Sequence, residues 1–121
     1  MKPLRIAILI VLGLALAGPL HAKRQAVPDK PVKLRHLAGI VVDPRGFPVA
    51  YAFIELRSPD DGHVLATTYA DALGKFYFAD RKHREQFQLR ASLAKFDIAQ
   101  YTVVMSFLGK ERLRMVLPPA T

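Results

Sequence analysis

The chain of 121 residues contains no Cys, no Trp and no Asn. Without Cys it forms no disulfide, no Cys-ligated zinc site, no iron–sulfur cluster and no thiol nucleophile. Without Asn it carries no N-glycosylation acceptor. The longest apolar run, near the N-terminus, is about 12 residues, short of the roughly 20 that a spanning helix needs. There is no Gly-rich phosphate loop, no Gly-x-Ser-x-Gly and no His-Glu-x-x-His. Acidic residues are also scarce: 10 Asp and Glu stand against 18 Lys and Arg, for a net charge of +8. A chain of this length holds one domain.

What is present begins with an address. Lys2 and Arg5 precede the apolar stretch from Ile6 to Leu16, Gly18-Pro19 interrupts it, and Leu20-His21-Ala22 brings a small residue before Lys23-Arg24. This order reads as a secretory signal peptide over residues 1–22. The alternative is a membrane tether that keeps those residues. Losing Lys2 and Arg5 lowers the net charge from +8 to +6. An exported chain without disulfides is expected in a bacterial periplasm or outside a bacterial cell, since small secreted eukaryotic domains are usually disulfide-dense.

Residues 23–35 hold Pro28 and Pro31 and no apolar period. They read as an extended, mobile basic arm. From His36 onward, short apolar runs alternate with turn signals every 8–12 residues or so, the mark of an all-β sandwich or barrel. Seven strands are expected, at 37–43, 50–57, 64–69, 75–78, 86–93, 99–107 and 113–117. In the second, Ala52, Ile54 and Leu56 share one face, and Tyr51, Phe53, Glu55 and Arg57 the other. A helix over 81–88 is the main rival to a charged loop and strand there. Gly46 and Gly74 stand where tight turns need a positive φ, and Asp43 and Asp71 precede them, placed to accept backbone N–H groups two residues on. Val41, Ile54, Leu56, Phe76, Phe78, Phe87 and Leu89 are the expected core.

Residues 37–56 read Leu-Ala-Gly-Ile-Val-Val-Asp-Pro-Arg-Gly-Phe-Pro-Val-Ala-Tyr-Ala-Phe-Ile-Glu-Leu, and residues 70–78 read Ala-Asp-Ala-Leu-Gly-Lys-Phe-Tyr-Phe. Together with Phe87, Leu89 and Ala91, these segments resemble the carboxypeptidase regulatory-like domain family, related to transthyretin-like and Cna-B-type sandwiches. Ala70 stands where the family has Thr, and Lys95-Phe96 where it has a Gly-aromatic pair. The resemblance implies a seven-stranded Greek-key, prealbumin-like sandwich over residues 36–118. Its motifs are turns and core, so it implies a scaffold rather than a catalyst. Related enzymes use motifs not found here: a terminal Tyr-Arg-Gly-Ser in hydroxyisourate hydrolases, a His-x-His pair in intradiol dioxygenases.

Function is therefore sought on surfaces. If Val41 and Ile54 face inward, then Ile40, Val42, Tyr51, Phe53 and Tyr77 face outward and form a candidate apolar and aromatic binding patch. A basic surface is expected in two groups, Lys23, Arg24, Lys33 and Arg35 on the arm and Arg81, Lys82 and Arg84 on the charged loop. It would draw the protein weakly to anionic surfaces without specific nucleic-acid recognition. The expected role is a noncatalytic exported module that binds or scaffolds a protein, peptide or polysaccharide of the cell envelope. No cofactor and no metal is expected. The alternatives are a small enzyme built on converging His36, His63 and His83, and a calcium site at Asp43, Asp71 or Asp60-Asp61.

Overall fold

Alternation carries the architecture. In the segment Phe53–Arg57, Ile54 and Leu56 are fully buried while Phe53, Glu55 and Arg57 are half-buried on the opposite face. A computed structural model of the chain describes residues 25–26 and 30–120, and only strands and turns occur there. Nine strands run in chain order: β1 (Gln25–Ala26), β2 (Val32–Leu34), β3 (Ala38–Val42), β4 (Phe53–Arg57), β5 (Val64–Tyr69), β6 (Lys75–Tyr77), β7 (Gln86–Ser92), β8 (Ile98–Met105) and β9 (Leu113–Val116). The expected signal peptide, and with it Lys23 and Arg24 of the expected basic surface, lies outside the described residues.

The strands form two mixed sheets. The larger has the order β1-β8-β7-β4-β5, with β2 also on β8; the smaller has the order β6-β3-β9. Two hairpins, β4–β5 and β7–β8, and the pairing of β4 with β7 build the large sheet from antiparallel strands. In the small sheet β3 pairs antiparallel with β6 and parallel with β9. Between the sheets lies one apolar core in which Val41, Ile54, Leu56, Phe76, Phe78, Phe87 and Leu89 are all buried. Phe76 and Phe78 meet edge to face at 6.2 Å, a preferred aromatic geometry. The result is a sandwich-like layering around one apolar core, without disulfides.

The N-terminal segment departs from the expected mobile arm. β2 pairs in parallel with β8, from Val32 opposite Val103 to Leu34 opposite Met105, and Leu34 is fully buried in the core. The ladder is continued by Ser106 N–H to the Leu34 carbonyl and Lys110 N–H to the Lys33 carbonyl. Residues 32–35 therefore belong to the fold, and the body begins before His36. β1 and β2 both line the side of β8 opposite β7, covering what would otherwise be a bare edge.

Two turns at one end of the molecule are built alike. Asp43 Oδ1 accepts the N–H groups of Arg45 and Phe47, both at 2.9 Å, and Gly46 has φ +92°. Asp71 Oδ1 accepts those of Leu73 and Lys75, both at 2.9 Å, and Gly74 has φ +78°. Each carboxylate thus has its Oδ1 engaged by its own turn. The Phe47 N–H, chiefly, holds the Asp43 carboxyl below the usual range, and the Lys75 and Leu73 N–H groups do so for Asp71. A carboxyl whose pKa is lowered by folding adds stability above its unfolded value. That contribution disappears as the pH falls through the lowered folded value. The thermal midpoint is therefore expected to decline below about pH 4. Asp71→Asn keeps an acceptor oxygen but has no proton to gain, so it should flatten the acid decline when midpoints are measured across the pH series. An unchanged acid limb would remove Asp71 from the explanation.

Candidate functional site

The expected outward patch divides. Val42 is only 2% exposed, because β3 is the central strand of the small sheet and Val42 also bridges Pro48 where the chain doubles back. It leaves the patch. Ile40 and Tyr77 lie on the outer face of the small sheet, opposite Lys75 and Ala38 respectively. Phe53 lies on the outer face of the large sheet, so the two outer faces point away from each other. Residues of one strand parity shared a face within each sheet but not across the two.

At the end of the large sheet a different group assembles. Phe53 is directly opposite Tyr69 on β5, with ring centroids 5.2 Å apart. Tyr69 is 66% exposed; Tyr51, 62% exposed, donates its N–H to the Asp71 carbonyl. Tyr51 has φ +62°, a rare conformation for a bulky non-glycine residue. Phe53 and Tyr69 thus form an aromatic pair, and the sequence did not single out Tyr69.

This pair borders an open strand edge. β5 is the last strand of the large sheet and pairs only with β4 among the described residues. Its residues, Val-Leu-Ala-Thr-Thr-Tyr, include no charge and no Pro. The edges of the small sheet carry Lys75 and Arg114, and β2 carries Lys33, the usual means of blunting an edge. The ladder phase is set by the Ala70 N–H on the Ala52 carbonyl at 2.9 Å. Antiparallel alternation then turns the N–H and C=O groups of Thr67 and Tyr69 away from β4. A register shift near Arg57 and Val64 distorts the start of the strand and leaves its second half regular.

Of the expected basic residues, two come together at the opposite end. Lys33 on β2 and Arg84 on the loop after β6 line one open hollow of about 490 Å³ together with His83, Met105 and Phe107. The Arg84 N–H donates to the Met105 carbonyl at 2.8 Å, which brings that loop against β8. The loop does not form a helix over 81–88. Arg81 lies over the Phe87 ring at 5.6 Å, Lys82 is exposed, and Arg35 pairs with Glu111 at 3.0 Å. Arg90 is held by Gln100 on the outer face of the large sheet, away from the others.

The histidines have separate partners. His36 contacts Asp80 at 3.1 Å, His63 contacts Asp61, and His83 stacks on Phe107 at 4.2 Å. Among the described residues no three His, Asp or Glu side chains gather as a metal site would require. What the geometry offers is two surfaces at opposite ends, one aromatic beside a bare strand edge and one cationic around exposed Phe107 and Leu108. No protein-family model and no curated protein matches this chain.

Proposed function

We propose that this chain is an exported, noncatalytic binding module of the cell envelope that captures an extended polypeptide on the β5 edge. The observation that carries this is the regular, uncharged edge of β5 beside the Phe53–Tyr69 pair. An added strand would satisfy the outward groups of Thr67 and Tyr69 through main-chain bonds, and the Phe53–Tyr69 pair would select its side chains. The motifs at residues 37–56 and 70–78 support membership of the carboxypeptidase regulatory-like family. The order of seven of the strands, β3 to β9, is compatible with its prealbumin-like Greek key. Export rests on the signal-like order of residues 1–22.

The test uses a random-peptide library. Peptides selected on the wild-type protein are measured against Thr67→Pro and Phe53→Ser. Proline at 67 removes an N–H that points away from β4, so the fold should survive while strand addition is blocked. Affinity is expected to fall by about tenfold or more, which is about 1.4 kcal/mol or more. Undiminished binding by a folded Thr67→Pro variant would contradict capture at this edge.

A further inference from the structure

Phe107 and Leu108 are the two most exposed large apolar side chains of the described residues, at 71% and 89%. They are adjacent, and they stand at the tip of the β8–β9 connection. Contiguous apolar surface facing water is one mark of a contact surface.

The tip is built rather than loose. The Gly109 N–H donates to the Ser106 carbonyl at 3.0 Å, and the Leu108 N–H reaches Ser106 Oγ at 3.2 Å. Gly109 lies so close to the Leu34 backbone that an added Cβ would stand 2.6 Å from it. The His83 ring stacks on one face of Phe107, with an interplanar angle of 12°. Phe107 and Leu108 are therefore the two central residues of a turn whose base is fixed to β2.

Charge surrounds this tip. Leu108 and Lys33 line both of two open hollows; Arg84 lies in the first, and Lys30 and Lys110 in the second. Among the described residues none of Lys30, Lys33, Arg84 and Lys110 forms an ion pair. The nearby carboxylates Asp80 and Glu111 are engaged by His36 and Arg35. An apolar prong inside uncompensated cations is complementary to a surface that is anionic outside and apolar beneath. A second copy of the chain would bring like charges together. We propose that the Phe107–Leu108 turn docks the molecule on an anionic lipid bilayer, its cations at the phosphates and its two apolar side chains in the headgroup layer.

The orientation follows. Met105 ends β8 beside the tip, whereas Gln25 pairs with Ile98 at the other end of that strand. Seven residue steps of strand separate Ile98 from Met105, about 23 Å. Docking by the tip therefore leaves the β5 edge and its aromatic pair free, and it is distinct from tethering through residues that precede Gln25.

The chain has no Trp, so an introduced indole reports alone. Leu108→Trp in the full chain is mixed with vesicles of phosphatidylglycerol or of phosphatidylcholine. Leu73→Trp, in the exposed turn at the other end, serves as the comparison. The expected result is a blue shift of Leu108→Trp emission on phosphatidylglycerol and not on phosphatidylcholine. The shift should weaken between about 50 and 300 mM salt, as screening shortens, and disappear when Lys33→Glu and Lys110→Glu are added. Inorganic phosphate alone should leave emission unchanged. The proposal is overturned by no shift, by an equal shift on both lipids, by a shift with phosphate alone, or by a shift of Leu73→Trp in place of Leu108→Trp.

Discussion

Gly74→Ala should lower stability by about 3 kcal/mol, against about 1 kcal/mol for Gly46→Ala. Both glycines have positive φ, so both substitutions strain the backbone. Their surroundings differ. A Cβ on Gly74 would lie 2.5 Å from the Val41 carbonyl oxygen and 3.3 Å from both the N and the O of Val49. Those atoms are fixed, because the Val41 N–H bonds to the Gly74 carbonyl at 2.7 Å and the Val49 N–H to the Val41 carbonyl at 2.9 Å. A Cβ on Gly46 meets only the end of the Arg114 side chain, at 3.2 Å, which can move aside. Urea unfolding of the two variants measures the difference. Equal losses would mean that backbone angle alone decides, and that the close approach of the two turns is not maintained in solution.

Leu34→Ala should cost about 3 kcal/mol, within the usual range for a fully buried leucine. Val32→Ala, two residues earlier and only half-buried, should cost about 1 kcal/mol. The larger figure applies because Leu34 is closed on all sides within the core and has no room to be compensated by relaxation toward solvent. Thermal or urea unfolding decides. A loss below about 1 kcal/mol for Leu34→Ala would return this segment to a dispensable arm and detach β2 from the body.

Period-two alternation and turn chemistry were legible in the sequence. Strand β5 begins and ends where its apolar and β-branched run does, and the Asp-x-x-Gly turns at 43–46 and 71–74 form the hydrogen bonds their residue types imply. β2 was not legible, because three residues between Pro31 and Arg35 cannot display a period. The burial of Val42 was hidden for another reason: its face is closed by the return of the chain at Pro48, which alternation does not encode. Phe107 read as the end of a strand, but β8 stops at Met105 and the turn turns Phe107 outward. Tyr69 became visible as part of a surface only when the β4–β5 register placed it opposite Phe53. The arm and loop cations were visible as charge, while their meeting across β8 depended on the parallel pairing of β2.

The two surfaces have compatible geometry. An anionic layer at the Phe107 end and a polypeptide on the β5 edge would occupy opposite ends of the large sheet. The module would then hold its partner beside a membrane without a conformational change.

Amide hydrogen exchange on the wild-type protein, with and without a selected peptide, tests edge capture most directly. Strand addition predicts that the outward N–H groups of Thr67 and Tyr69 become protected on binding, while amides already bonded within the sheet change little. Protection confined to residues away from β5, with Thr67 and Tyr69 exchanging as before, would contradict it.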